Sequence, residues 1–153
     1  MQIRKNKGFS LVEVLVTAAI VSTVTITLLR LFVFCAALSE MGGNLTAAMV
    51  SAQDKMEEIK NYNYDLIAAD YVAGGAVGDT FSATSPTRSG VIYVDSSNTS
   101  LLRIEIDVSW RNKDGRVVGE DADLDGVLDI GEDLNSDGKL TSTARIITNI
   151  AQR

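Results

Sequence analysis

Apolar residues fill the chain from Phe9 to Leu38, interrupted only by Glu13, Arg30 and several serines and threonines. A helix needs about 20 apolar residues to cross hydrocarbon. Phe9 to Leu29 supplies that length, and Leu31 to Leu38 continues it. Beyond Leu38 the pattern changes. Leu45, Met49, Ala52, Met56 and Ile59 recur at helical spacing and form one stripe. Asp54, Lys55, Glu57, Glu58 and Lys60 fill the other faces. The stripe is expected to pack on the chain's own sheet. Gly42 and Gly43 lie between the two halves, where a kink or partly melted turn is expected.

From Asn61 to Pro86 the chain turns rich in glycine, alanine and serine and reads as a loop region with little regular structure. Strands follow. Gly90 to Val94 is a short apolar run. Leu102 to Trp110 alternates strictly. Leu102, Ile104, Ile106, Val108 and Trp110 share one face, and Arg103, Glu105, Asp107 and Ser109 the other, as in a half-buried antiparallel strand. Asn112 to Gly115 reads as a turn, Arg116 to Gly119 as the start of the next strand, and Leu140 to Ile150 as a closing strand. The fold class is α+β: a long N-terminal helix, with a membrane half and an amphipathic half, packed on a small antiparallel sheet. The segments are 1–8 as a leader, 9–39 as the membrane helix, 40–60 as the amphipathic helix, and 61–153 as the globular domain, with an acidic insertion at 119–139.

Composition removes several classes of chemistry. The 153 residues include no histidine, so the commonest general base and transition-metal ligand are missing. The single cysteine, Cys35, lies inside the apolar run and has no intrachain partner. The formal net charge is −6 and no basic stripe is present, so no nucleic-acid partner is expected. No triad, nucleotide loop or catalytic metal site is visible, and the chain does not read as an enzyme.

The N-terminus carries the sharpest signal. Arg4, Lys5 and Lys7 precede the apolar run, which orients the remainder of the chain to the outside. The run is too long for the core of an ordinary signal peptide. Phe32, Val33 and Phe34 are too bulky for lipoprotein processing at Cys35. A plain anchor fits the length but leaves Glu13 unexplained, because a carboxylate in hydrocarbon costs about 2.5–3.5 kcal/mol on insertion scales.

Gly8-Phe-Ser-Leu-Val-Glu13 closely resembles the processing site of type IV prepilins and type II secretion pseudopilins. The resemblance implies that a prepilin peptidase cuts between Gly8 and Phe9 and methylates Phe9. It further implies that the new Phe9 amine pairs with the Glu13 carboxylate of a neighbouring subunit during filament assembly. Losing the leader takes three positive charges from −6 and leaves −9. Looser likenesses, in "AQDKMEEIK", "IDVSWRNKDGRVV" and "LTSTARIITNI", are similar to the minor pilin V and pseudopilin I branch.

The acidic insertion has metal-ligand spacing. Asp121, Asp123 and Asp125 stand at loop positions one, three and five, and Gly126 at the sharp turn at six. The Val127 carbonyl stands at seven, Asp129 at nine and Glu132 at twelve, a calcium loop of the EF-hand type. Leu128, at eight, is expected to point into the core. A second loop begins at once with Asp133, Asn135, Asp137, Gly138, the Lys139 carbonyl and Thr141. Its position twelve is Ala144, so Glu132 or a group outside the loop must complete it. One calcium ion is expected in the first loop, with the second loop as a further site. The metal is expected to fold the insertion into a knob at the hairpin end.

These readings converge on a structural filament subunit of the cytoplasmic membrane, its C-terminal domain periplasmic or extracellular. Its implied partners are other pilin subunits, the prepilin peptidase, an inner-membrane assembly platform and membrane lipid. The alternative is a membrane-anchored calcium-binding module that does not polymerise, which has no need of Gly8, Phe9 and Glu13 in this arrangement.

Overall fold

The computed structural model describes residues 9–82, 88–98 and 100–152. Gly8, on the leader side of the expected cut, lies outside the described residues. The elements in chain order are α1 (Leu11–Lys60), α2 (Tyr64–Asp70), β1 (Thr80–Ser82), β2 (Arg88–Asp95), β3 (Leu101–Arg111), β4 (Val117–Val118) and β5 (Ala144–Ala151). Two compact units divide the chain, Met1–Glu40 and Met41–Arg153.

In the first unit α1 exposes its apolar side chains all round, from Leu11 to Leu38. Most of its hydroxyls are satisfied within the helix. The hydroxyls of Thr17, Ser22, Thr23, Thr25 and Thr27 each donate to the carbonyl one turn back, at 2.5–2.9 Å. Such a helix leaves few polar groups that need water, as a hydrocarbon environment demands. Among the described residues α1 is the one helix long and apolar enough to cross a membrane. The expected melted turn is not found: Gly42 and Gly43 are helical, and the Thr46 hydroxyl donates to the Gly42 carbonyl at 2.8 Å.

In the second unit the sheet is wholly antiparallel and centred on β3. One edge of β3 pairs with β2, which in turn pairs with β1. The other edge pairs with β5 along Leu101 to Val108 and with β4 at Trp110 and Arg111. Leu102, Ile104, Ile106, Val108 and Trp110 all face the core, as their alternation requires. Against them lie Ala48, Ala52, Met56 and Ile59 of α1. The buried stripe is therefore shifted from the expected one: Ala48 is buried, Met49 flanks the core, and Leu45 is exposed.

The 61–86 stretch holds more structure than its composition suggests. Asn63 caps α2 by accepting from the Asp65 N–H at 3.2 Å, and Ile67 and Tyr71 enter the core. Tyr71 donates to Glu58 at 3.1 Å and Tyr62 to Asp70 at 2.6 Å, tying α2 to the end of α1. Burial, followed by the Glu58 hydrogen bond, pushes the Tyr71 hydroxyl up to about 12. The remaining strands differ at their ends: β2 spans Arg88–Asp95, β4 is two residues long, and β5 begins at Ala144. The Asn112–Gly115 turn is present, with the Gly115 N–H donating to the Asn112 carbonyl at 2.9 Å.

Candidate metal centre and N-terminal segment

The second face of β3 departs from expectation. Arg103 is exposed, but Glu105, Asp107 and Ser109 are buried. The chain between β4 and β5 covers them. Lys139 reaches Glu105 at 2.7 Å, the Leu140 N–H donates to the Tyr93 hydroxyl at 2.7 Å, and the Ser142 N–H donates to Asp107 at 2.8 Å. Arg145, opposite Asp107 in register, bridges Asp107 at 2.8 Å and Glu105 at 3.2 Å. The insertion is thus not a knob at the hairpin end. It folds back over the outer face of the sheet.

Burial pushes the Asp107 carboxyl above its usual range, against the pull of Arg145 and Ser142. Removing one partner of a buried ion pair costs about 3–5 kcal/mol. Arg145 keeps Glu105, so Asp107→Ala should lower stability by about 3 kcal/mol. Chemical denaturation of the purified chain measures this, and a change under about 1 kcal/mol would mean that the contact contributes little beyond a surface pair.

Within the insertion the backbone wraps around the expected ligands. Asp121 accepts from the N–H groups of Leu124 at 2.7 Å, Asp125 at 3.2 Å and Gly126 at 3.1 Å. Asp123 accepts from Asp125 at 3.2 Å, and Asp125 from Val127 at 2.7 Å. Glu132 closes the loop by accepting from Ala122 at 2.8 Å and Asp129 at 3.1 Å. Leu124 and Gly126 have φ of 68° and 79°. A Cβ at position 126 would lie 2.7 Å from the Thr80 side chain, so both the turn and the docking on β1 require glycine there.

The second loop repeats this geometry twelve residues later. Asp133 accepts from Asp137 at 3.0 Å and Gly138 at 2.9 Å, Asn135 from Asp137 at 2.9 Å, and Asp137 from Lys139 at 3.0 Å. Ser136 and Gly138 repeat the positive φ values, at 59° and 75°. The residue that closes this loop is Glu120. It accepts from Leu134 at 3.1 Å and from Thr141, N–H at 2.8 Å and hydroxyl at 2.6 Å. Leu134 and Thr141 are positions two and nine, where Glu132 binds Ala122 and Asp129 in the first loop. Glu120 thus stands in for the carboxylate missing at Ala144. The spacing rule looks only forward along the chain, so it missed Glu120.

Carboxylate oxygens converge in three groups, each within 4.8 Å: Asp121 with Asp123 and Glu132, Asp123 with Asp125 and Asp129, and Glu120 with Asp133 and Asp137. An all-oxygen donor set of this kind suits a hard divalent cation. Burial, with the Glu132 charge adding to it, pushes the Asp121 carboxyl up despite hydrogen bonds from Ser89 and the loop backbone. Burial also opposes charge on Glu120, but hydrogen bonds from Thr141, Leu134 and Asn135 hold that carboxyl below its usual range. One expectation fails: Leu128 is exposed, not packed in the core.

At the other end of the chain, Phe9 is exposed and Glu13 lies in the first turn of α1. The Glu13 N–H donates to the Ser10 hydroxyl at 3.2 Å, and the Val14 N–H to the Ser10 carbonyl at 3.2 Å. Ser10 therefore caps the helix, and Ser10-x-x-Glu13 has the spacing of a capping box.

Residues 3–29 match the family model described as the prokaryotic N-terminal methylation motif. The likeness covers 27 of the 153 residues, the segment that holds the expected processing site and the first part of the apolar helix. That motif, with the apolar helix it opens, supports a pilin-like or pseudopilin-like subunit. No curated protein and no solved structure matches the chain.

Proposed function

We propose that this chain is a minor pilin or pseudopilin, assembled from the cytoplasmic membrane into a type IV pilus or a type II secretion pseudopilus. In this reading its C-terminal domain carries one or two structural calcium ions. The observation that carries the subunit reading is Gly8-Phe9 with Glu13 as the fifth residue after the expected cut, at the head of a helix whose apolar faces are bare. The basic leader favours a cytoplasmic N-terminus. The order of the helix end, the strand with Trp110 next to its last residue and the Thr- and Ile-bearing β5 supports the minor pilin V and pseudopilin I branch.

Calcium is supported by the repeated loop geometry and by the closing carboxylates, Glu132 for the first loop and Glu120 for the second. In the first site Asp121, Asp123, Asp125, the Val127 carbonyl, Asp129 and Glu132 would hold the ion. In the second, Asp133, Asn135, Asp137, the Lys139 carbonyl, Thr141 and Glu120 would do so. The ion supplies neutralisation of clustered charge and no chemistry.

Processing is tested by intact mass. Assembled material should begin at N-methylated Phe9, and Gly8→Ala should block the cut. Retention of Met1 in assembled material, or cleavage near Ala37, overturns the subunit reading.

A further inference from the structure

In the unit Met41–Arg153 the two most exposed large aliphatic side chains are Ile130, at 107% of its reference exposure, and Leu134, at 79%. Val127 and Leu128 are exposed as well, so four such residues fall within one stretch of eight. Their presentation is fixed. The Glu132 N–H donates to the Asp129 carbonyl at 3.2 Å, and the Asp129 N–H donates to the Glu132 carboxylate at 3.1 Å. Ile130 and Gly131, the latter at φ 96°, form the apex of that closed turn. Four exposed aliphatic side chains gathered in eight residues, rather than scattered singly, mark an interaction surface.

The surrounding charge narrows the partner. Residues 119–139 hold eight acids and one base, Lys139, whose ammonium is engaged by Glu105. Two divalent ions would offset only half of the negative charge, so the surface stays acidic with metal or without it. An anionic lipid surface and a second copy of this acidic chain are both repelled. We propose that the Ile130 apex docks into an apolar socket rimmed by Lys or Arg on a different protein subunit. The aliphatic tip supplies contact area, and the acidic flanks supply orientation and selectivity.

The test places the photo-crosslinking residue p-benzoylphenylalanine at Ile130 or Leu134 in the full-length chain, in its native membrane, with Leu66 as the control position. Adducts from Ile130 and Leu134 should exceed those from Leu66 by about tenfold and map to one peptide of a different protein, beside Lys or Arg. Raising salt should lower the yield. With the probe at Leu134, Ile130→Asp should remove the adduct while leaving the thermal melt unchanged. Adducts to lipid, to a second copy, to a site without basic residues, or no more frequent than from Leu66 would overturn the proposal.

Discussion

Glu13→Gln should insert in the membrane at least as well as the parent chain and yet enter filaments poorly, by about tenfold or more. Two roles compete for this carboxylate. As the third residue of a helix capped by Ser10, it has the position of a capping-box acid, a place that glutamine fills nearly as well. As the partner of the Phe9 amine on a neighbouring subunit, it must be charged. Removing a charge from hydrocarbon relieves about 2.5–3.5 kcal/mol, so insertion cannot be the step that fails. Glu13→Leu removes both roles and should be at least as defective. Counting subunits in sheared filaments against the membrane pool separates the outcomes. Normal incorporation of Glu13→Gln alongside poor incorporation of Glu13→Leu would assign the residue to the cap; normal incorporation of both would leave the pairing without support.

The second large effect is calcium-dependent stability. Extracellular loops of this type bind with dissociation constants of about 10⁻⁴–10⁻³ M. A hundredfold excess of metal over that constant adds about 2.7 kcal/mol to the folded state. For a unit of this size the melting temperature should rise by about 10 °C. Magnesium should do much less, because it favours a smaller octahedral site. Asp121→Ala or Glu132→Ala should abolish most of the shift. Glu120→Gln should lower the calorimetric stoichiometry from two ions to one and leave the first site intact. If calorimetry on the full chain in mild detergent detects no binding at millimolar calcium, the insertion is a solvated acidic loop and the calcium reading falls.

Much of the architecture was legible because it rests on period and spacing. The alternation of Leu102 to Trp110 names the core face of β3 without error, since each side chain on a strand points opposite to the last. The same alternation misled on the other face. Glu105 and Asp107 look solvated, and only the returning chain, with Lys139, Ser142 and Arg145, buries them. That is a long-range event with no local signal. The helical stripe was offset because Ala48 carries little hydrophobic weight, yet its small size suits the helix–sheet contact. α2 was missed because seven residues give too short a period, although Asn63 offered a cap. In the insertion, eleven of the expected ligand positions fall into register by counting, with Glu120 as the one found only by geometry.

The repeat within the insertion limits how that segment can change. Glu120 precedes Asp121 and Glu132 precedes Asp133, so each loop opens directly after a glutamate that closes a loop. Glu132 closes the loop behind it, while Glu120 closes the loop ahead. The two loops therefore interlock through Glu120, which reaches past the whole first loop to close the second. Gain or loss of twelve residues preserves the order of acid, turn and closing carboxylate; any other length throws Leu140 and Ser142 off their seats on Tyr93 and Asp107. Among descendants of this sequence, surviving length variants of the segment should differ by whole twelve-residue units.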